Sequence, residues 1–473
     1  MKKMSMITPT REEDALFRQL LSFNQEMGTG IVFRVAGGWV RDKIMGLPCN
    51  DIDIAIDKTS GSLFAHSFIE HLKRQAEEVS GFHIIPYNHE KAKHLETASL
   101  RYHNYEIDFV CLRSEKYADT RIPVVEIGTP QEDADRRDLT INALFYNLNT
   151  QEVEDYTGKG LSDIKKRLIR TPLAPKLTFH DDPLRILRVL RFAARLSFTI
   201  DQAILDSLGD YALVSRMAAI VSRERIGQEL RKTLASRDYP VALSVMVRYR
   251  ITDVVFEEIE IDRVQTEAYW REHSAFLGGE SLFVPLFEVS LHHTTIAAFS
   301  VLQHALRCTK QKKESVIERT IVEGLKWTKE KKKEIERVAQ GVVFIDKVFP
   351  VLSYTDIGHE KKLSLLIKVV REVKEHFPVA LVVYYLIQRS QGPASTTNLK
   401  SLPIPAIYQD IHHFGFEKCF EVRPPVDFQT IAQETGAPPT VAKMYLEEAT
   451  QLSILHQTRD KDFLIRKLHL DQG

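Results

Sequence analysis

Apolar and polar residues alternate strictly over 51–57, with Ile52, Ile54 and Ile56 on one side and Asp51, Asp53, Ala55 and Asp57 on the other. A period of two predicts a β-strand whose isoleucines are buried and whose acids face an open cleft. The pattern returns over 105–112, where Glu106 and Asp108 share one face and Ile107, Phe109 and Cys111 the other. Helical spacing marks 11–28, through Leu16, Phe17, Leu20, Leu21 and Phe23, and an amphipathic run over 62–78. Short strands are expected at 32–35 and 82–86, a polar loop at 87–94, and irregular chain over 115–135, which carries Pro123, Gly128 and Pro130. Strands interleaved with helices predict an α/β head with a small mixed sheet. Glycines at 158 and 160 break the periodicity and mark its end, and from about residue 240 the chain is mostly helix-compatible. The class is therefore α+β, with an expected head at 1–150, a helical neck at 151–240, and a helical body and tail at 241–473.

The most informative helix is expected in the neck, over 179–195. Asp181 is placed to cap its N-terminus and Pro183 suits its first turn. Ile186, Leu187, Val189, Leu190, Ala193 and Ala194 gather on one side, and Arg185, Arg188, Arg191 and Arg195 on the other. An arginine stripe is ordinarily a solvated or ion-paired face. Here Asp182 stands three residues before Arg185, the spacing at which helical side chains meet. A carboxylate beside a guanidinium offers acceptors next to donors and can read the Watson–Crick edge of a base. Cytosine and adenine each show an amino donor beside a ring-nitrogen acceptor, so one Asp/Arg pair suits both and rejects uracil and guanine.

Composition narrows the classes. The 473 residues include 64 Lys plus Arg and 64 Asp plus Glu, so overall basicity offers no argument for a nucleic-acid partner and any such surface depends on local segregation of charge. Cys49, Cys111, Cys308 and Cys419 are far apart and form no C-x-x-C pair, which fits free thiols in a reducing compartment rather than disulfides or zinc. The adjacent pairs His292-His293 and His412-His413 read as surface residues. The N-terminus has no sustained apolar run, and its early acids argue against a mitochondrial presequence. No stretch approaches the roughly 20 apolar residues of a membrane span. A cytoplasmic location is expected, with a mitochondrial or nuclear pool left open, and no membrane or obligate protein partner. Basic runs at 310–313 and 329–333 read as solvated faces or as tracks for RNA phosphates.

The acids set the candidate chemistry. Carboxylates at i and i+2 of a strand repel one another unless a cation lies between them, and hard divalent ions take oxygen ligands, so Asp51 and Asp53 point to Mg²⁺. Upstream, Gly37-Gly38 lets the backbone approach a triphosphate at a turn opening a helix, with Arg41 one turn further on. For Asp108 two readings stand open: a third carboxylate at the metals, or an ion pair with Arg101 or Arg113. Arg136 and Arg137 read as the start of a helix, where the dipole disfavours cations. A bound phosphate or ribose explains them; pairing with Glu132, Asp133 and Asp135 is the alternative.

Gly-Gly-x-x-Arg-Asp followed by Asp-x-Asp resembles the signature of the nucleotidyltransferase superfamily that contains the CCA-adding enzymes and bacterial poly(A) polymerases. Arg-Arg-Asp-x-Thr-x-Asn-Ala at 136–143 is similar to that family's second signature, and 94–99 and 107–117 look like its eukaryotic-type members. The resemblance covers 30–235 and implies a nucleotidyltransferase-type head. It implies two metals on Asp51 and Asp53, and triphosphate contacts from Gly37, Gly38 and Arg41. Arg137, Asp138 and Asn142 match residues that bind the incoming nucleotide. Asp182 and Arg185 match the pair that serves as a protein template for CTP and ATP, with Arg188 and Arg191 of the same stripe joining them. Bacterial members carry Glu where this chain has Asp181. The stretch 221–232 resembles a further neck motif that supports the template helix. The implied activity is CCA addition to tRNA 3′ ends; a poly(A)- or CC-adding enzyme of the same family and a non-catalytic RNA-binding protein on the same scaffold are the alternatives.

Overall fold

The computed structural model describes residues 7–75, 79–85, 97–116, 124–236, 238–256, 317–352, 358–390 and 404–470. The expected polar loop at 87–94, the basic run at 310–313, His292-His293 and Cys308 lie outside these residues. Two compact units divide the chain, Met1–Ala242 and Leu243–Gly473.

In the first unit, Thr10 caps helix α1 (Arg11–Met27) through a reciprocal box with Glu13, and Gly28 ends it in the left-handed conformation. Then follow β1 (Arg34–Ala36), α2 (Gly38–Ile44), β2 (Asp51–Ile56), α3 (Gly61–Arg74), β3 (Val79–Ile85), β4 (Thr97–Tyr102) and β5 (Tyr105–Cys111). A hairpin, β6 (Arg113–Lys116) and β7 (Val124–Ile127), leads to α4 (Pro130–Asp135) and a 3₁₀ turn at Thr140–Asn142. The sheet is completed by β8 (Phe145–Asn147) and β9 (Glu152–Glu154). Its seven strands run β3-β4-β5-β2-β1-β8-β9, with β2 and β5 parallel and every other neighbouring pair antiparallel. A mixed sheet in the head is thus observed.

The period-two reading of β2 describes the real strand. Ile52, Ile54 and Ile56 are buried while Asp51 and Asp53 stay exposed. Full burial of each isoleucine contributes about 1.5–3 kcal/mol. Helices α1 and α3 cover that apolar side with aromatic rings: Phe64 and Phe68 pack on Phe109 of β5 at 5.3 and 6.0 Å between centroids, and Phe23 on Phe64 at 5.7 Å. Gly61 permits this closeness, since a Cβ there would meet the Phe109 carbonyl oxygen at 2.3 Å. The other face is open only at its beginning. Ala55, next along it, is sealed beneath Ala36, Ala143 and Phe145.

Three expectations need correction. The stretch 115–135 is not all irregular, because it holds β7, α4 and the end of β6. Arg136 and Arg137 follow the C-terminal end of α4 instead of starting a helix, a position the dipole favours for cations. Asp181 is the last residue of α6 (Pro175–Asp181) and does not cap α7 (Leu184–Leu196), which Pro183 precedes. The expected continuous helix is therefore two, because the residue before a proline is driven out of the helical region.

Between sheet and neck lie α5 (Gly160–Lys166) and β10 (Leu168–Ile169), the latter paired in parallel with β11 (Thr199–Ile200). Helices α8 (Gln202–Leu208), α9 (Tyr211–Ile220) and α10 (Arg223–Leu234) complete the neck, with α10 packed along α7. The described part of the second unit is helical, as expected. Helices Lys329–Leu352, His359–Val373 and Phe377–Ser390 pack together, and a separate small core joins Val426, Ile431, Ala442, Ala449, Leu464 and Leu468. The lysines at 329–333 fall on the first of these helices, where Lys331 pairs with Glu334, and Lys332 with Glu318 and Glu336. Among the described residues no helix is long and apolar enough to cross a membrane.

Candidate active site

Strand β2 enters a cleft of about 1010 Å³ in the first unit and lays Asp51 and Asp53 on its floor. Parallel pairing sets Asp108 of β5 directly opposite Asp53. Of the two readings of Asp108, the ion pair with Arg101 fails, because Arg101 bonds Glu106 at 3.0 Å. Asp108 instead accepts a hydrogen bond from the Ser99 hydroxyl and stands beside the floor without lining the cleft. Asp53 keeps surface toward the cleft, yet crowding at the floor strips water from its carboxyl. That desolvation, reinforced by Asp108 and Asp51 and opposed by Arg137 and Arg113, lifts Asp53 from 3.8 to about 6.

Like charges gathered on a floor are the donor chemistry a divalent cation relieves. Among the described residues no group of three or more Asp, Glu, His or Cys is placed to hold a metal. Two carboxylates completed by water and substrate phosphate are the usual holding of Mg²⁺, and Asp51 with Asp53 fit that pattern.

The wall is basic and already bonded. Asp133, 1% exposed, takes Arg137 at 2.8 Å and Arg136 at 2.5 Å and also accepts from the Arg113 amide. Burial alone lifts this carboxyl, but Arg137 and Arg136 outweigh it and hold Asp133 at about 2. The pairing alternative for these arginines is thus the one observed, with Asp133 as the shared partner. Arg137 also donates to the Asn142 carbonyl at 3.0 Å, and it closes on Gly37. Gly37 has φ +66°, and a Cβ there would meet Arg137 Nη1 at 2.7 Å, so both the backbone and the approach require glycine. Gly38 opens α2.

Arg41 lines the cleft but is 2% exposed, donating to Asp42 at 2.8 Å and to Asn142. Its guanidinium is thus already bonded to protein groups in the cleft wall. Asn142 in turn donates to Asp138 at 3.0 Å. Burial pushes Asp138 upward, yet Arg188 at 2.7 Å and the Asn142 amide hold it below the usual carboxylate range.

Helix α7 supplies the arginine stripe, and its faces are sorted by partner. Arg185 donates to the Arg136 carbonyl at 2.7 Å, Arg188 pairs with Asp138, and Arg195 lies 3.5 Å from Asp42. Arg191 turns away, bonding Glu229 of α10 at 2.6 Å and stacking on Phe192, and it does not line the cleft. Asp182 and Arg185 both line it, but not as a helical pair. Asp182 precedes α7 in extended backbone and bonds Arg225 at 2.8 Å, so the i, i+3 argument does not apply to it.

Arg113, Asp42, Arg225 and Glu229 also line the cleft and were not singled out from the sequence. Arg225 and Glu229 carried a signal in their place in the stretch 221–232, and Asp42 in closing Gly-Gly-x-x-Arg-Asp; Arg113 entered only as a candidate ion-pair partner of Asp108.

Residues 33–170 match the poly A polymerase head domain. A CCA tRNA nucleotidyltransferase, mitochondrial, from Saccharomyces cerevisiae is 46% identical over 231 residues, 48% of this chain and 42% of its own length. The chain therefore aligns with less than half of that relative. The tRNA nucleotidyltransferase cca2 of Schizosaccharomyces pombe is 29% identical over 439 residues, covering 86% of this chain and 85% of its own. Among solved structures, a CCA-adding enzyme in complex with CTP superposes with a TM-score of 0.65 at 19% identity, over 99% of this chain and 97% of that one, which establishes a shared fold.

Proposed function

We propose that the protein adds C, C and A to the 3′ end of tRNA from CTP and ATP, using no nucleic-acid template. The observation that carries this reading is the placement of the acidic pair and the base-reading residues in one cleft: Asp51 and Asp53 form the floor, and Asp182 and Arg185 stand on the wall. The Saccharomyces cerevisiae relative is named a CCA tRNA nucleotidyltransferase and the fission-yeast one a tRNA nucleotidyltransferase.

In the reaction the tRNA 3′-hydroxyl attacks the α-phosphate of the nucleotide and pyrophosphate leaves. Asp51 and Asp53 are the residues to hold Mg²⁺, with Asp108 supporting the floor, and the bound ion supplies charge neutralisation at the phosphates. Gly37 and Gly38 bring backbone close to the triphosphate, and Arg137 adds positive charge facing Asp53. Asn142 and Asp138, braced by Arg41 and Arg188, orient the sugar. Asp182 accepts from the amino group of cytosine or adenine while Arg185 donates to the neighbouring ring nitrogen; uracil and guanine present the opposite pattern. The head, neck, and body and tail divide these tasks, with the second unit as the grip on tRNA. The yeast relative's name places that protein in mitochondria, a compartment the sequence reading leaves open here beside the cytoplasm.

The test supplies purified protein and Mg²⁺ with tRNAs ending at the discriminator base, at C and at CC, together with CTP, ATP or both. Products that stop at CCA are expected. Products ending in C alone identify a CC-adding enzyme, long A tails a polymerase, and no product a binding protein.

A further inference from the structure

Of the four arginines in the stripe of α7, three are accounted for. Arg185 donates to the Arg136 carbonyl beside the base-reading position, Arg188 holds Asp138, and Arg191 turns away to Glu229. Arg195, in the last turn, has the loosest tie. Its side chain is 49% exposed and lines the cleft, and among the described residues its guanidinium makes no hydrogen bond. It lies 3.5 Å from Oδ2 of Asp42, whose Oδ1 already takes Arg41 at 2.7 and 2.8 Å.

We propose that Arg195 is a substrate contact that holds the terminal phosphates of the incoming nucleotide, and with them the pyrophosphate that leaves. The inference deepens the proposed reaction and rests on it. Arg195 stands seven residues after Arg188, close to two helical turns, so the two share a face. The helical rise carries Arg195 about 10 Å further along the cleft. With the base at Arg185 near the start of α7 and the sugar at Asp138 beside Arg188, the phosphates come next in that direction. The order of groups in the nucleotide then matches the order of arginines along the helix. Asp42 belongs to α2, the helix that Gly38 opens, so Arg195 faces the element assigned to the triphosphate. Attack by the 3′-hydroxyl oxygen forms a bond to the α-phosphorus and breaks the bond to the bridging oxygen, whose electron pair stays on pyrophosphate. A guanidinium meets that charge with two parallel hydrogen bonds. Asp42 meanwhile keeps Arg41, so turning Arg195 toward a phosphate leaves no buried charge unpaired. A phosphate of the tRNA backbone offers the same chemistry, and the test separates the two sources.

The test uses the full chain with Mg²⁺ as wild type, Arg195→Ala and Arg195→Lys, on tRNAs ending at C and at CC. It measures kcat/KM for CTP, ATP and UTP, the inhibition constant of inorganic pyrophosphate, and the KM for tRNA. In Arg195→Ala, kcat/KM is expected to fall about tenfold for every nucleotide, the scale of one charge-assisted hydrogen bond, and the pyrophosphate constant to rise by about the same factor. Arg195→Lys should restore part of both, while the CTP/UTP ratio and the KM for tRNA keep their wild-type values. An unchanged pyrophosphate constant overturns the proposal. So does a loss confined to tRNA, which would assign Arg195 to the RNA backbone, or a shifted CTP/UTP ratio, which would assign it to the base. A wild type that adds no nucleotide overturns the functional reading and this inference with it; an active wild type matched by Arg195→Ala overturns the inference alone.

Discussion

The floor and the wall of the cleft are built on opposite electrostatic terms. On the floor, desolvation, reinforced by the neighbouring charges of Asp108 and Asp51, lifts Asp53 to about 6. On the wall each charge has a partner: Asp133 with Arg136 and Arg137, Asp138 with Arg188, Asp42 with Arg41, and Asp182 with Arg225. A region out of balance by itself is made to be completed by something bound. A region already balanced holds groups in place and contributes to the stability of the fold.

The largest effect expected from this contrast is on turnover. Asp53→Ala should lower nucleotide addition by at least about a hundredfold, the scale of removing one group that meets transition-state charge, while tRNA binding persists. Single-turnover incorporation alongside a tRNA binding titration measures both, and substantial residual turnover would place the metal elsewhere. Next comes the wall. Asp133→Asn breaks a buried carboxylate's pairing with two guanidiniums and should cost about 3–5 kcal/mol of stability at pH 7, read by urea unfolding. Because its folded pKa is depressed to about 2 from 3.8, that contribution is present above about pH 4 and is lost as pH falls toward 2. The gap between variant and wild type should narrow over that interval, and a gap independent of pH would mean that packing rather than charge is responsible.

A smaller change is expected at Arg185. Arg185→Gln should relax discrimination against UTP and GTP by about ten- to a hundredfold, as removal of a charged donor does, and intact discrimination would exclude it from base reading. The smallest effect carries the opposite sign to that of Asp133. In metal-free protein, Asp53→Asn should stabilise the fold above pH 6, where wild-type Asp53 is ionised at a cost, and the gain should vanish as pH falls from about 6 to 3.8. Its size is on the order of 1 kcal/mol once solvent screening of a carboxylate with open surface is allowed for. Thermal unfolding in chelator at pH 8 and pH 4 measures it. Destabilisation at pH 8 would show that the floor is balanced after all.

These two regions also differ in how far they could be read from the chain. The acidic floor was legible because a strand's period of two fixes which side chains share a face, whatever the rest of the molecule does. Local chemistry likewise announced Gly37, whose conformation only glycine adopts freely. The wall was legible as a list of residues but not as a set of partners. The stripe of α7 followed from helical periodicity, yet nothing in that periodicity says that Arg188 meets Asp138, 50 residues away, or that Arg191 turns to Glu229. The Asp182–Arg185 spacing misled for a specific reason: it assumed one helix, and Pro183 breaks the chain into two.

By itself, the sequence determined the elements whose signals are short in range: the alternating strands, the amphipathic helices, the glycine turn and the family signatures. The tertiary structure alone decided which arginine neutralises which carboxylate, that Arg41 is committed inside the protein, and that Asp182 belongs to Arg225. Backbone periodicity is a property of neighbouring residues, whereas an ion pair depends on where two distant side chains come to rest after the sheet and helices have packed.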